Sequence, residues 1–175
     1  MTSEDLAGDA RLDAQYTRVG VRDRSIDGSG ARSIVETLPD QINAYDTAVA
    51  QRATGFSGCW VLELGTNDAA NVAHGSSVDL ATRIDHMMSV IGSDPVLWVD
   101  VISHRDSGDY SADNMRMWDS ALDEARHRYP NLRVFAWSTV ARAEWFKSDG
   151  LHYTTDGYTT FAHSLADAVA AAFPA

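Results

Sequence analysis

Apolar and polar positions alternate in blocks that change rhythm along the chain. From Ser3 to Val19, Leu6, Ala10, Ala14 and Val19 recur at roughly helical spacing among acids and arginines, which predicts an amphipathic helix. Val21 to Ile26 is short and partly alternating, a weak strand running into the turn-like Asp27-Gly28-Ser29-Gly30. Ser33 to about Arg52 reads as helix, with Pro39 near an N1 position restarting it after a break. Cys59 to Leu64, bounded by Gly58 and Gly65, is mostly apolar and suits a strand covered on both faces. Val78 to Ile91 is helical, with Leu80, Ile84, Met87, Met88 and Ile91 on one side. Pro95 leads a strand from Val96 to Ile102, a polar loop runs from Ser103 to Tyr110, and a helix spans about Ala112 to Tyr129, stopped by Pro130. Leu132 to Trp137 reads as strand, Val140 to Phe146 as a short helical piece, and about Thr155 to Ala172 as a last helix.

Strands alternating with helices imply βαβ crossovers and a parallel sheet between helical layers, a three-layer α/β/α sandwich. Neither a repeat nor a linker interrupts the 175 residues, so residues 1–175 are expected to form a single domain. The balance of 14 basic and 25 acidic residues gives a net charge of -11, which repels phosphate backbones and anionic lipid and argues against nucleic-acid partners. No apolar run reaches the ~18–20 residues of a membrane span. One cysteine excludes an internal disulfide framework and a Cys-clustered zinc site. Met1-Thr2-Ser3-Glu4-Asp5 has neither the basic nor the apolar region of a signal peptide, so this stretch does not read as one and gives no address.

Chemistry in a parallel sheet gathers at the carboxyl ends of the strands, and three loops there stand out. In Gly65-Thr66-Asn67-Asp68 a glycine turns the chain at the sheet rim, and Asn67 can offer a neutral N–H where negative charge develops on a substrate oxygen. Gly, Asn and Asp are also the ordinary residues of a strand-to-loop turn. In Asp149-Gly150-Leu151-His152 the carboxylate can fold back across the glycine onto the imidazole, fixing its tautomer and leaving the other nitrogen to take a proton. The bland rival is an Asp-Gly turn before a helix capped by Thr154 or Thr155. Asp27-Gly28-Ser29-Gly30 lacks the Lys-Ser/Thr of a phosphate loop and the third glycine of a dinucleotide fingerprint, though its backbone N–H groups suit an oxyanion. His74, His86, His104, His127 and His163 form no ligand pair and read as surface residues. Cys59 reads as a buried apolar filler, and Trp98, Trp118, Trp137 and Trp145 as packing residues.

Taken in order, these loops resemble the blocks of the SGNH/GDSL family of serine esterases, lipases and acyltransferases. Gly65-Thr66-Asn67-Asp68 is similar to its Gly-x-Asn-Asp block and Asp149-Gly150-Leu151-His152 to its Asp-x-x-His block. Ile26 to Ser33 resembles the block whose glycine N–H completes the oxyanion hole, at Gly28 or, in another register, Gly30. The resemblance implies a flavodoxin-like α/β/α fold and acyl-ester hydrolysis. His152 is then the base, Asp149 its partner, and Asn67 and Gly28 the oxyanion donors, with no metal or organic cofactor. The substrate implied is a small-molecule or glycan acyl ester, and many relatives are extracellular or envelope-associated.

One block departs from the pattern. The family opens on an apolar strand ending in Gly-Asp-Ser, whose serine is the nucleophile, and no such strand is present here. Either Gly8-Asp9-Ala10 stands in its place, with too little strand before it, or Met1-Thr2 follow a Gly-Asp-Ser that lies upstream; the distance to Gly28 fits the second alignment. The domain then reads as N-terminally truncated. The absent strand would sit between 21–26 and 59–64, and its loss leaves the neighbouring strands to close the gap or fold poorly. Ser3, Ser29 and Ser57 do not sit in a Gly-x-Ser-x-Gly elbow, so the chain as written offers no nucleophile. A competing class is a non-catalytic domain on the same fold that binds glycans or acylated polymers.

Overall fold

The computed structural model describes residues 3–174, with side chains from residue 10 onward. Two compact units make up the chain, residues 32–140 and residues 1–31 together with 141–175.

The unit from 32 to 140 is built on a parallel sheet of β1 (Trp60–Leu62), β2 (Val96–Val99) and β3 (Leu132–Phe135), in that order. Trp60 pairs with Val96 and Val96 with Leu132, so all three strands enter the sheet in step. Every residue of β2 is buried. β1 is the last strand of the sheet on its side, and among the described residues no strand pairs with its other edge. For that reason Trp60 and Val61 are only half-buried, and Cys59, expected inside, is exposed.

Helices α2 (Ala44–Ala53), α3 (Thr66–Ala73), α4 (Leu80–Ile91) and α5 (Ala112–Arg128) connect and cover these strands. α4 buries Ile84, Met87, Met88 and Ile91, the stripe read from the sequence, and its N-terminus is capped by Asp79 accepting from Thr82 N. α5 is capped by Ser111 and buries Met115, Trp118, Leu122 and Ala125. Trp98 and Trp118 sit in the core with ring centroids 5.9 Å apart.

The helix expected over Ser33–Arg52 forms only from Ala44. Upstream of it, side chains take the backbone groups that a helix would use. The Asn43 amide donates to Val35 O and its oxygen caps α2 at Asp46 N, and Leu38 and Gln41 bridge across the turn at Pro39-Asp40. Conversely, α3 begins in the stretch read as a loop.

In the other unit, α1 (Ser3–Arg18) packs against α6 (Thr155–Ala172), tied by Arg18 to Asp167 at 2.6 Å. Thr154 caps α6 by accepting from Gly157 N. Val21–Ile26 forms no strand: Val21 N donates to Tyr16 O, and Arg24 reaches back to Asp13 and Thr17 of α1. A charged residue at three of the six positions leaves that segment little to bury. A 3₁₀ turn at Ala143–Trp145 replaces the helical piece expected over Val140–Phe146. Among the described residues no helix is long and apolar enough to cross a membrane.

Candidate active site

The Asp149–His152 loop closes on itself. Lys147 N donates to His152 O at 2.7 Å and Gly150 N to Lys147 O, while Gly150 takes φ +69°, a conformation that favours glycine. Within this turn Asp149 Oδ1 accepts from the backbone N–H of both Leu151 and His152 at 2.9 Å, and Oδ2 meets His152 Nδ1 at 2.7 Å. The imidazole bond, reinforced by the two backbone donors, holds the Asp149 carboxyl well below the usual carboxylate range. An ionised carboxylate can only accept, so Nδ1 carries the hydrogen of this contact and Nε2 is the nitrogen that can take up or release a proton. Both side chains reach solvent.

Asn67 occupies the first turn of α3, a helix of eight residues whose entry depends on Gly65. Gly65 has φ +137°, and a Cβ there would lie 2.3 Å from the Trp118 indole nitrogen. Trp98 Nε1 donates to Leu64 O at 2.8 Å, so two tryptophans hold the exit from β1. The Asn67 carboxamide is oriented at both ends: Tyr110 Oη donates to Oδ1 at 3.1 Å and Nδ2 donates to Arg32 O at 3.2 Å. With Oδ1 occupied as an acceptor, Nδ2 keeps a second N–H to offer. Tyr110 escaped the sequence reading because its partner lies 43 residues away and no local pattern announces the contact.

Asp68, next in the motif, is fully buried. Its Oδ1 accepts from Ile34 N and from Arg83, itself fully buried, and burial pushes its carboxyl up. Arg83 also grips Glu36 through both terminal nitrogens, donates to Ser76 and, through Nε, to Val78 O. This guanidinium, helped by Ser33 and Ser76, lowers the Glu36 carboxyl to about 2.

Gly28 lies in the irregular stretch after α1, half-buried, in the same unit as Asp149 and His152; Asn67 belongs to the other unit. Ser57 is exposed, Ser29 is half-buried, and the side chain of Ser3 falls outside the described residues. His74, His86, His104, His127 and His163 are all exposed, as expected. Trp98, Trp118 and Trp137 are fully buried and Trp145 half-buried under Arg142.

A second carboxyl pair lies just past the end of β2. Asp100 accepts from Ser138 N and Oγ at 2.7 and 2.6 Å, and Asp119 of α5 accepts from Val101 N at 2.9 Å. Burial, with the Asp100 charge nearby, raises Asp119 to about 7. Because the folded state holds this proton more tightly than the unfolded chain, the stability it confers is complete below about pH 4 and is lost as pH rises towards 7. From about pH 5 to about pH 8 the loss is expected to be on the order of 2 kcal/mol after solvent screening. Asp119→Asn, which keeps an acceptor for Val101 N, should flatten that part of a melting-temperature profile; an unchanged pH slope would refute the assignment.

Neither a family model nor a curated protein matches the sequence. Solved structures do. Est24, a carbohydrate acetylesterase from Sinorhizobium meliloti, superposes with a TM-score of 0.73 at 17% identity, over 95% of this chain and 87% of that one. The inhibitor-bound aryl esterase of M. smegmatis gives 0.69 at 16% identity over the same shares. The lipase/acylhydrolase of Enterococcus faecalis gives 0.53 at 21% identity, over 67% and 63%. The chain has the α/β fold of these ester hydrolases, the SGNH/GDSL-type hydrolase fold.

Proposed function

We propose that residues 1–175 act as a single domain of an acyl-ester hydrolase in which His152 is the general base and Asp149 orients it. The observation that carries this reading is the 2.7 Å contact between Asp149 Oδ2 and His152 Nδ1, on the fold that esterases share. The likeness to Est24 over 95% of the chain supports treating both units together. Asn67 Nδ2 and the Gly28 N–H are the proposed oxyanion donors, each worth ~3–4 kcal/mol in the transition state.

On this reading the nucleophile would be a serine on an added apolar Gly-Asp-Ser strand, which could pair with the edge of β1 that no strand covers among the described residues. Its Oγ attacks the ester carbonyl while His152 Nε2 takes the proton. Collapse of the tetrahedral intermediate expels the alcohol, which recovers that proton, and water then releases the acyl group by the same route. The carbohydrate acetylesterase and the acetyl esterase among the structural neighbours support a small acyl group. No metal or organic cofactor takes part in these steps.

With a Gly-Asp-Ser strand joined in frame ahead of Met1, the protein is expected to hydrolyse p-nitrophenyl acetate. His152→Ala should then lower kcat by ~10⁴-fold or more. An undiminished rate would remove the proposed base. The absence of a serine in a nucleophile pattern favours, as second reading, a non-catalytic domain that binds glycans or acylated polymers. A restored protein that stays inert and resists a fluorophosphonate probe would decide for it.

A further inference from the structure

The residues Asn67, Asn71 and His74 follow one another at helical spacings of four and three and so share one face of α3 and its C-cap. Beyond Asn67 this face opens into a cleft of about 290 Å³ lined by Glu36, Asn71, His74, Gly75 and Ser76. We propose that this cleft is a binding subsite for a neutral, hydroxyl-rich sugar ring, the alcohol side of a substrate whose ester lies at Asn67. The position of the ester rests on the hydrolase reading; the affinity of the cleft for sugar does not.

The lining narrows the ligand. It contains no aliphatic or benzenoid side chain, only the carbons of polar ones, so it favours a ring that pairs apolar C–H faces with hydroxyls over a long acyl tail. Its volume sits at the lower bound of small-molecule sites, enough for about one ring. Glu36 is not available to a cation: its two oxygens already accept from Arg83, Ser33, Asn71 and Ser76, which uses a carboxylate's ~four lone-pair directions. It still carries its charge, and with Asp109 beside His74 it disfavours an anion.

The groups left to bind are suited to hydroxyls. Asn71 gives one N–H to Glu36 and keeps Oδ1 and a second N–H, a donor–acceptor pair that matches two adjacent hydroxyls. His74 Nδ1 meets Asp109 Oδ2 at 3.0 Å, and the exposed ring keeps Nε2 to hydrogen-bond a third. Gly75, at φ +104° with open space where a Cβ would stand, keeps the cleft mouth clear. From residue 67 to residue 74 the helix advances ~10 Å, so a ring seated here is displaced from the scissile bond by roughly its own length.

The test is an amide ¹H–¹⁵N titration of the chain itself with methyl glucoside, methyl xyloside and the methyl glycoside of N-acetylglucosamine. At least one should give saturable shifts at residues 71–76 with a Kd of roughly 1–10 mM. His74→Ala should weaken binding about threefold or more and Asn71→Ala about tenfold or more. His74 is exposed, so its variant reads the site even where Asn71→Ala disturbs the Glu36 network. Absence of shifts at these residues for all three sugars at about 50 mM, shifts mapping elsewhere, or a stronger response to glucosamine or glucuronate overturns the proposal. Shifts at 71–76 in a protein whose strand-restored form fails to cleave p-nitrophenyl acetate would sink the hydrolase reading and keep the subsite; cleavage without shifts would do the reverse.

Discussion

Gly65→Ala is expected to destabilise the protein by roughly 3–5 kcal/mol, close to the whole margin of many domains of this size. Two costs coincide at this position. The backbone sits at φ +137°, where a Cβ is strained, and the added carbon would meet the Trp118 indole at 2.3–2.4 Å. The indole cannot retreat, because Trp118 is fully buried against Trp98, and Trp98 is hydrogen-bonded to the carbonyl of Leu64. Relief must come from the start of α3, which carries Asn67. Urea denaturation gives the stability change, and the Asn67 side-chain amide resonances report the displaced helix start. A loss below about 1 kcal/mol would show that the exit from β1 is softer than this packing implies.

Arg83→Met should cost about as much, ~3–5 kcal/mol, by a different route. The guanidinium is fully buried and faces both Asp68 and Glu36. Without it, Asp68 is left in the core with one backbone donor, Ile34 N, and must take up a proton to remain there. Stability of the variant should therefore fall as pH rises through the neutral range. Adding Asp68→Asn removes the stranded charge and should recover roughly half of the loss. Melting curves of the single and double variants check both statements; an equal loss in both would mean that Arg83 acts through packing alone.

How legible these features are from the sequence follows from how local their causes are. α4, α5 and α6 each carry an apolar stripe, a capping side chain at the first turn and many residues, so pattern alone places them within a residue or two. β2 starts at Val96 after Pro95, where the pattern places it, but ends at Val99 rather than Ile102. The Asp149–His152 contact spans three residues across a glycine turn, and nothing distant is needed to close it.

Other features are decided at long range. α3 is short, and its buried residues include Asp68 beside Ala69 and Ala70, so it shows no clean apolar rhythm. Arg83 is charged and sits in an amphipathic helix, and it becomes a core residue only because Glu36 arrives from 47 positions upstream and Asp68 from 15. Over residues 33–43, where a helix is expected, Ser33, Glu36 and Asn43 spend their side chains on nearby backbone and on one another. Cys59 has the neighbours of a buried strand, and which face of that strand is covered depends on sheet order, which composition does not encode.

The sheet's end at Trp60 has a consequence for behaviour in concentrated solution. A bare row of amides and carbonyls is a template for lateral growth, the first step from a folded chain to a fibre. Here that row is three residues long, and Glu63, an acid, follows it immediately. A border so short and so closely followed by a charge gives a growing stack little to build on.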